Sequence, residues 1–167
     1  MKLADAVFSE DKQYRYVLWR IWDSTKPMVN FIGLNPSTAD ETNDDPTMRR
    51  CSGFAKSWSY GGFYMTNIFG YKATKPEDLK KAFDPIGKDN DKWLLEIESK
   101  VEIVIFAWGV HGTFLKRDEQ VKKLITKGYF LELSKDGHPK HPLYLKGVLI
   151  PKKFYNEYGA TGLRGEK

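Results

Sequence analysis

Apolar and polar positions alternate from Tyr14 to Trp22, the two-residue period of a strand, and a second strand runs from Pro27 to Ile32 after a turn at Asp23-Ser24-Thr25-Lys26. That second run leads into Phe31-Ile32-Gly33-Leu34-Asn35-Pro36-Ser37, an apolar segment that stops at a glycine and turns at Asn-Pro. Asp45-Pro46 has the form of a helix start, with the acid as N-cap and proline at the first helical position. Met48, Cys51, Phe54, Ala55 and Trp58 follow at three-to-four spacing, and the helix is expected to end near Gly61-Gly62. Phe63 to Ile68 reads as the next strand. Thr74 and Glu77 have capping-box spacing for a short helix to about Phe83, and Asp84-Pro85-Ile86-Gly87 is a turn. Asp89 to Lys100 is expected to be helical, with Trp93, Leu94 and Ile97 inward. Val101 to Trp108 is nearly all apolar, as a strand buried on both faces should be, and Gly109 ends it. A helix from about Thr113 to Lys127, a strand from Tyr129 to Leu133 and an apolar stretch from Leu145 to Ile150 complete the pattern. This alternation predicts an α/β fold, a three-layer α/β/α sandwich around a mainly parallel central sheet.

Composition narrows the class. With 167 residues, 41% hydrophobic and 14% aromatic, the chain suits a single domain over 1–167 with a real core, and it holds no repeat or linker. No apolar run is long enough to span a bilayer, and Met1-Lys2-Leu3-Ala4-Asp5 lacks the apolar stretch of a signal peptide. A cytoplasmic protein with no membrane partner is therefore expected, and no obligatory protein partner is evident. The single cysteine, Cys51, excludes an intrachain disulfide and a cysteine-based zinc cage; on the apolar side of a helix it reads as packing. The balance of 27 basic against 22 acidic residues, net +5, is compatible with a nucleic-acid partner. Asp40, Glu41, Asp44 and Asp45 cluster after the Asn-Pro turn. Bases gather at Lys116-Arg117, Lys122-Lys123, Lys140, Lys146 and Lys152-Lys153, readable either as solvated surface or as a phosphate-tracking stripe.

Four strand ends concentrate the candidate chemistry: Asn35, Asn67, Trp108-Gly109, and the loop Gly137-His138-Pro139-Lys140-His141-Pro142-Leu143-Tyr144. In a parallel sheet such ends converge on one cleft. Asn35 is either an Asx-turn residue bonding its own backbone or an amide that orients a water; Pro36 stiffens the turn in both cases. His141 is either part of a proline-stiffened surface loop or a donor to an oxygen that gains negative charge. Asn67 offers donor and acceptor, as reading a pyrimidine edge requires, or else satisfies neighbouring backbone. His138 and His141 would need carboxylates from elsewhere to hold a metal, so none is expected. Asp44-Asp45 can be read as a carboxylate pair, but Asp45 as cap of the helix at Pro46 is the simpler reading. Arg49 and Arg50 on that helix are placed to pair with the acids or to reach phosphate. No phosphate loop, dinucleotide fingerprint or His-x-Glu with paired cysteines occurs, which disfavours kinases, Rossmann dehydrogenases and zinc deaminases.

Taken in order, these pieces resemble the uracil-DNA glycosylase superfamily. Gly33-Leu34-Asn35-Pro36-Ser37 looks like its first motif and His141-Pro142-Leu143-Tyr144 like its late His-Pro-Ser motif. Thr66-Asn67 falls where a strand ends in a base-reading Asn, and Ile105-Phe106-Ala107-Trp108-Gly109 resembles the buried strand closing in Trp-Gly. The likeness runs from about residue 28 to 150, leaving a basic, aromatic C-terminal tail. Gly-Leu-Asn-Pro-Ser-Thr-Ala-Asp with Asp-Asp-Pro-Thr and His-Pro-Leu-Tyr looks closest to an uncharacterised bacterial and phage branch. The resemblance implies a cofactor-free DNA base glycosylase that flips its target nucleotide into the cleft. It makes Asn35 the water-positioning residue and His141 the donor to the departing base. Gly33, Leu34, Pro36, Ser37 and Asn67 would line the base site, with Phe54 stacking on the base and Tyr71 and Phe69 as rivals. Lys140, Leu143 and Tyr144, with His138 in the same loop, would contact DNA and wedge into the duplex. The first motif carries no Asp at the water-activating position, which predicts a slow enzyme. A nucleotide or nucleoside hydrolase on the same fold and a non-catalytic nucleic-acid binder are the alternative functions.

Overall fold

The computed structural model describes residues 3–37 and 42–155. An edge strand that carries no strong pattern in the sequence comes first: β1 (Ala4–Phe8) pairs antiparallel with β2 (Arg15–Ile21). β3 (Val29–Gly33) then leads through α1 (Pro46–Ser57) to β4 (Gly62–Asn67). From β4 the chain passes α2 (Pro76–Lys81) and α3 (Asn90–Glu98) to β5 (Ile103–Phe106), and α4 (Arg117–Leu124) leads to β6 (Gly128–Phe130). A short β7 (Lys152–Lys153) closes the other edge.

All seven strands form one sheet in the order β1-β2-β4-β3-β5-β6-β7. The expected parallel arrangement holds for the central β4-β3-β5-β6, whereas β1, β2 and β7 run antiparallel, so the sheet is mixed. The reason is local for the first pair: the few residues between β1 and β2 suffice for a hairpin but not for a crossover. Helices cover both faces. Met48, Cys51, Phe54 and Ala55 of α1 pack with Val29, Phe31, Phe63 and Ile105, while Leu79, Leu94, Ile97 and Val121 of α2 to α4 pack with Ile32, Val104 and Phe106. Adjacent residues such as Phe31 and Ile32 thus go to opposite faces, and both are fully buried. Cys51 lies inside the α1 layer, where burial pushes its thiol well above the ordinary value, as packing rather than chemistry requires. No helix among the described residues is long and apolar enough to cross a membrane.

Helix boundaries follow local chemistry. Asp45 caps α1 as expected, its carboxylate accepting from Met48 N at 2.8 Å with Pro46 behind it. That helix stops at Ser57, short of the glycines, because Ser59 takes a left-handed φ of 65°. The Thr74/Glu77 capping box does not form: Lys75 is the N-cap of α2, with no side-chain cap bond. The helix expected from Thr113 starts only at Arg117, since Leu115 and Lys116 at φ 56° and 54° break a preceding 3-10 turn.

Arg117 does not belong to a basic stripe. It is 1% exposed, its Nε donates to the Ile68 carbonyl at 2.7 Å, and its Nη2 meets Asp91 at 2.5 Å. Asn90 Nδ2 donates to the same carbonyl at 3.1 Å and to that of Asn67 at 2.9 Å. These two side chains hold the end of β4. Arg117→Ala should therefore cost about 3 kcal/mol in urea unfolding, by stripping a charged donor from a buried carbonyl. Asp91→Ala should cost less than about 1 kcal/mol, because its carboxylate is 57% exposed.

Candidate functional site

Register brings the motif-bearing strand ends together. Gly33 stands opposite Asn67, and Ile32 opposite Phe106, so β3, β4 and β5 finish at one edge of the sheet. The chain leaves β3 through α1 on one face and leaves β4 through α2 and α3 on the other. β3 is thus the reversal point of the parallel strands, where such sheets open a crevice. A cavity of about 240 Å³ lies there on the α1 face, and Asn35, Asn67 and His141 all line it. It is smaller than the roughly 300–1,000 Å³ of drug-sized sites, a scale suited to a nucleobase.

Asn35 sits just past β3. Its Nδ2 donates to the carbonyls of Ala73 at 2.7 Å and Pro36 at 3.1 Å. Two carbonyl partners require the nitrogen at that end of the amide, which fixes its orientation. This is not an Asx turn, in which the side chain accepts from its own backbone; here the amide is clamped by donation, and its Oδ1 is left as the acceptor. Asn67 is 2% exposed, and its Nδ2 has no hydrogen-bond partner among the described residues. A buried unpaired donor in a cavity wall is costly unless something else accepts from it. Gly33 is required by close approach: a Cβ there would lie 2.9 Å from Asn67 Oδ1 and 2.7 Å from Met65 Cε.

His141 reaches the cavity from the far end of the chain. Its loop is braced by Gly109 N donating to the Pro139 carbonyl at 2.8 Å, with Gly109 at φ 74°. That left-handed conformation explains the glycine after Trp108, since a side chain at Gly109 would meet no other atom. Arg50 Nε on α1 donates to the Pro142 carbonyl at 3.4 Å. His141 Nδ1 accepts from Leu143 N at 3.2 Å, capping the short 3-10 turn Pro142–Tyr144. A nitrogen that accepts carries no proton, so the neutral ring bears its hydrogen on Nε2. Burial holds the imidazole below its ordinary 6.5, only partly opposed by the Asp45 carboxylate.

Arg15, Asp45, Thr47 and Met48 also line the cavity and are missing from the sequence-derived set. Asp45 shows that a cap can also face a site: its second oxygen accepts from Ser37 Oγ at 3.3 Å. Asp44 is paired with Arg20 at 2.9 Å instead of forming a carboxylate pair with Asp45, and Arg49 Nη1 donates to the Asp44 carbonyl. No group of acidic, His or Cys side chains fit for a metal occurs among the described residues. Asp40 and Glu41, and the tail from residue 156, lie outside those residues.

Several expected residues fall elsewhere. Phe54 is 2% exposed in the α1 core, beneath Arg50 and against Trp58. Phe69 is fully buried against Phe114. Tyr71 lines a neighbouring open groove of about 590 Å³ with Lys72 and Lys81, which shares Ser37 and Thr74 with the cavity. The inner walls are instead Leu34, Met48 and Met65. Leu34 and Ser37 line the cavity as expected, while Pro36 supplies backbone to Asn35. His138, Lys140, Leu143 and Tyr144 are not in the lining. Lys140 pairs with Glu132 at 2.6 Å, whereas Tyr144 is 89% exposed beyond His141.

Fold and site together define an α/β domain with a polar, strand-end cavity. Residues 15–143 match the family described as "Protein of unknown function (DUF1643)", and the chain belongs to that family. No curated protein and no solved structure matches it.

Because its folded form takes up a proton less readily than the unfolded chain, His141 contributes fully to stability above about pH 6.5, and that contribution is lost as the pH falls below it. An NMR titration should find His141 neutral at pH 7 as the Nε2–H tautomer, with a midpoint below 6.5. A midpoint above that value would show the ring to be solvated or ion-paired.

Proposed function

We propose that this protein is a DNA base glycosylase of the uracil-DNA glycosylase type, hydrolysing the N-glycosidic bond of a uracil-like, damaged or modified base. The observation that carries the reading is the meeting of Asn35, Asn67 and a neutral His141, from three distant segments, in one cavity of nucleobase scale. The target nucleotide swings out of the stack and its base enters the cavity. Asn67 reads the base edge through its unpaired Nδ2. The bond from C1′ to the base nitrogen breaks, its electron pair moves into the base, and His141 Nε2–H donates to the oxygen that becomes anionic. Water held by Asn35 Oδ1 adds to C1′, and its proton passes to a carboxylate. Asp45 is the carboxylate in the cavity wall among the described residues, which compensates for the missing Asp of the first motif. The products are an abasic sugar and the free base. Tyr144, exposed on the His141 loop, is placed to fill the vacated stack.

A nucleoside or nucleotide hydrolase is the second reading. It is favoured by the absence of an aromatic ring from the cavity lining and by the engagement of Lys140 and Arg117 in internal pairs. Oligonucleotides carrying uracil, hydroxymethyluracil or mismatches, treated with alkali after incubation, separate the two. Strand breaks at the target base support the glycosylase, and base release from free nucleosides or nucleotides alone would replace it with the second reading.

Asn35→Ala should lower base release by about 10²–10³-fold. Asp45→Asn should also slow the reaction while leaving the melting temperature nearly unchanged, because Asn caps a helix about as well as Asp. Equal losses of rate and stability in that variant would reduce Asp45 to a cap.

A further inference from the structure

We infer that the cavity reads an oxyanion carried by its ligand together with the base, and that Arg15 is the residue that reads it. This deepens the base-binding reading of the cavity and rests on it. Arg15 is 4% exposed at the start of β2, and it lines the same cavity as Asn35, Asn67 and His141. β2 runs antiparallel to β4, with Leu18 opposite Met65, so its first residue lies beside the end of β4 where Asn67 stands. Arg15 N donates to the Gly70 carbonyl at 3.0 Å, which ties its backbone to the segment following Asn67. Nothing in the excision of a plain uracil calls for a buried guanidinium, whose five donors in a planar fork match a carboxylate or phosphate. Independently, the unpaired and buried Asn67 Nδ2 faces the same space and also demands an acceptor. Two donors from adjacent strands therefore select for oxygen. The opposing charge, Asp45, is on the α1 wall and is held by Met48 N and Ser37 Oγ, so a ligand anion is directed to the β2 side.

Such an oxyanion has two sources, a carboxylate on the base or the phosphate of a nucleotide, and binding measurements distinguish them. The full chain is titrated with uracil, 5-carboxyuracil and deoxyuridine monophosphate, read by calorimetry and thermal shift. At least one oxyanion ligand should bind roughly tenfold to a hundredfold more tightly than uracil, the scale of a charge-assisted hydrogen bond. The better of the two identifies the source. Arg15→Gln should abolish that preference and Arg15→Lys should retain part of it. If Arg15→Gln does not fold, the wild-type comparison with Arg15→Lys decides. Equal binding of all three ligands, binding by neither oxyanion ligand, or a preference that survives in Arg15→Gln would overturn the inference. Because binding is read without turnover, oxyanion preference without base release would sink the glycosylase reading alone. Base release dependent on Asn35 without oxyanion preference would sink this inference alone.

Discussion

Everything at the site depends on β3 lying between β4 and β5 in parallel register. Gly33 opposite Asn67 sets how closely the two strand ends approach, and only a residue without Cβ leaves room for the Asn67 amide. Beyond the sheet the two segments continue to pair, Ile68 N to the Gly33 carbonyl and Phe69 N to the Leu34 carbonyl, both near 3.0 Å. Ala73 N reaches the Pro36 carbonyl, and Asn35 closes the join from its side chain. The rigidity of Asn35 is thus inherited from the sheet, as precise placement of a reacting water requires.

The third component comes from far along the chain and needs its own bracing. The glycine after Trp108 lends an N–H to the Pro139 carbonyl, and α1 lends Arg50 to the Pro142 carbonyl. One end of the α1 layer therefore supports the imidazole while its N-terminal cap, Asp45, faces the same cavity. The electrostatic result is a mixed lining: a buried guanidinium and an unpaired amide toward β2 and β4, a carboxylate toward α1, and a neutral imidazole. Such a lining suits a polar planar ligand better than a hydrocarbon.

Sequence pattern was a good guide wherever a residue's role is set by its neighbours in the chain. The strands from β2 to β5, the Asp45 cap and the inward stripe of α1 follow from alternation, three-to-four spacing and capping chemistry. It failed where burial overrode type. Arg117 looked like surface charge because it stands beside Lys116, yet a backbone carbonyl and Asp91 compensate it inside the fold. Phe54 was the natural stacking ring, but its position on the helical stripe commits it to the core. No local signal distinguishes Arg15 from the other arginines; its place in the cavity arises only from the pairing of β2 with β4.

The amino-acid sequence by itself determined an α/β chain whose Asn35, Asn67 and His141 follow strand ends or a rigid turn, since these are matters of period, glycine and proline. Tertiary structure decided that the three share one hollow, that Arg15 and Asp45 join them, and that no aromatic ring among the described residues lines it. The physical reason is that strand order and register are set by long-range hydrogen bonds and by packing on two faces, which no short stretch of sequence contains.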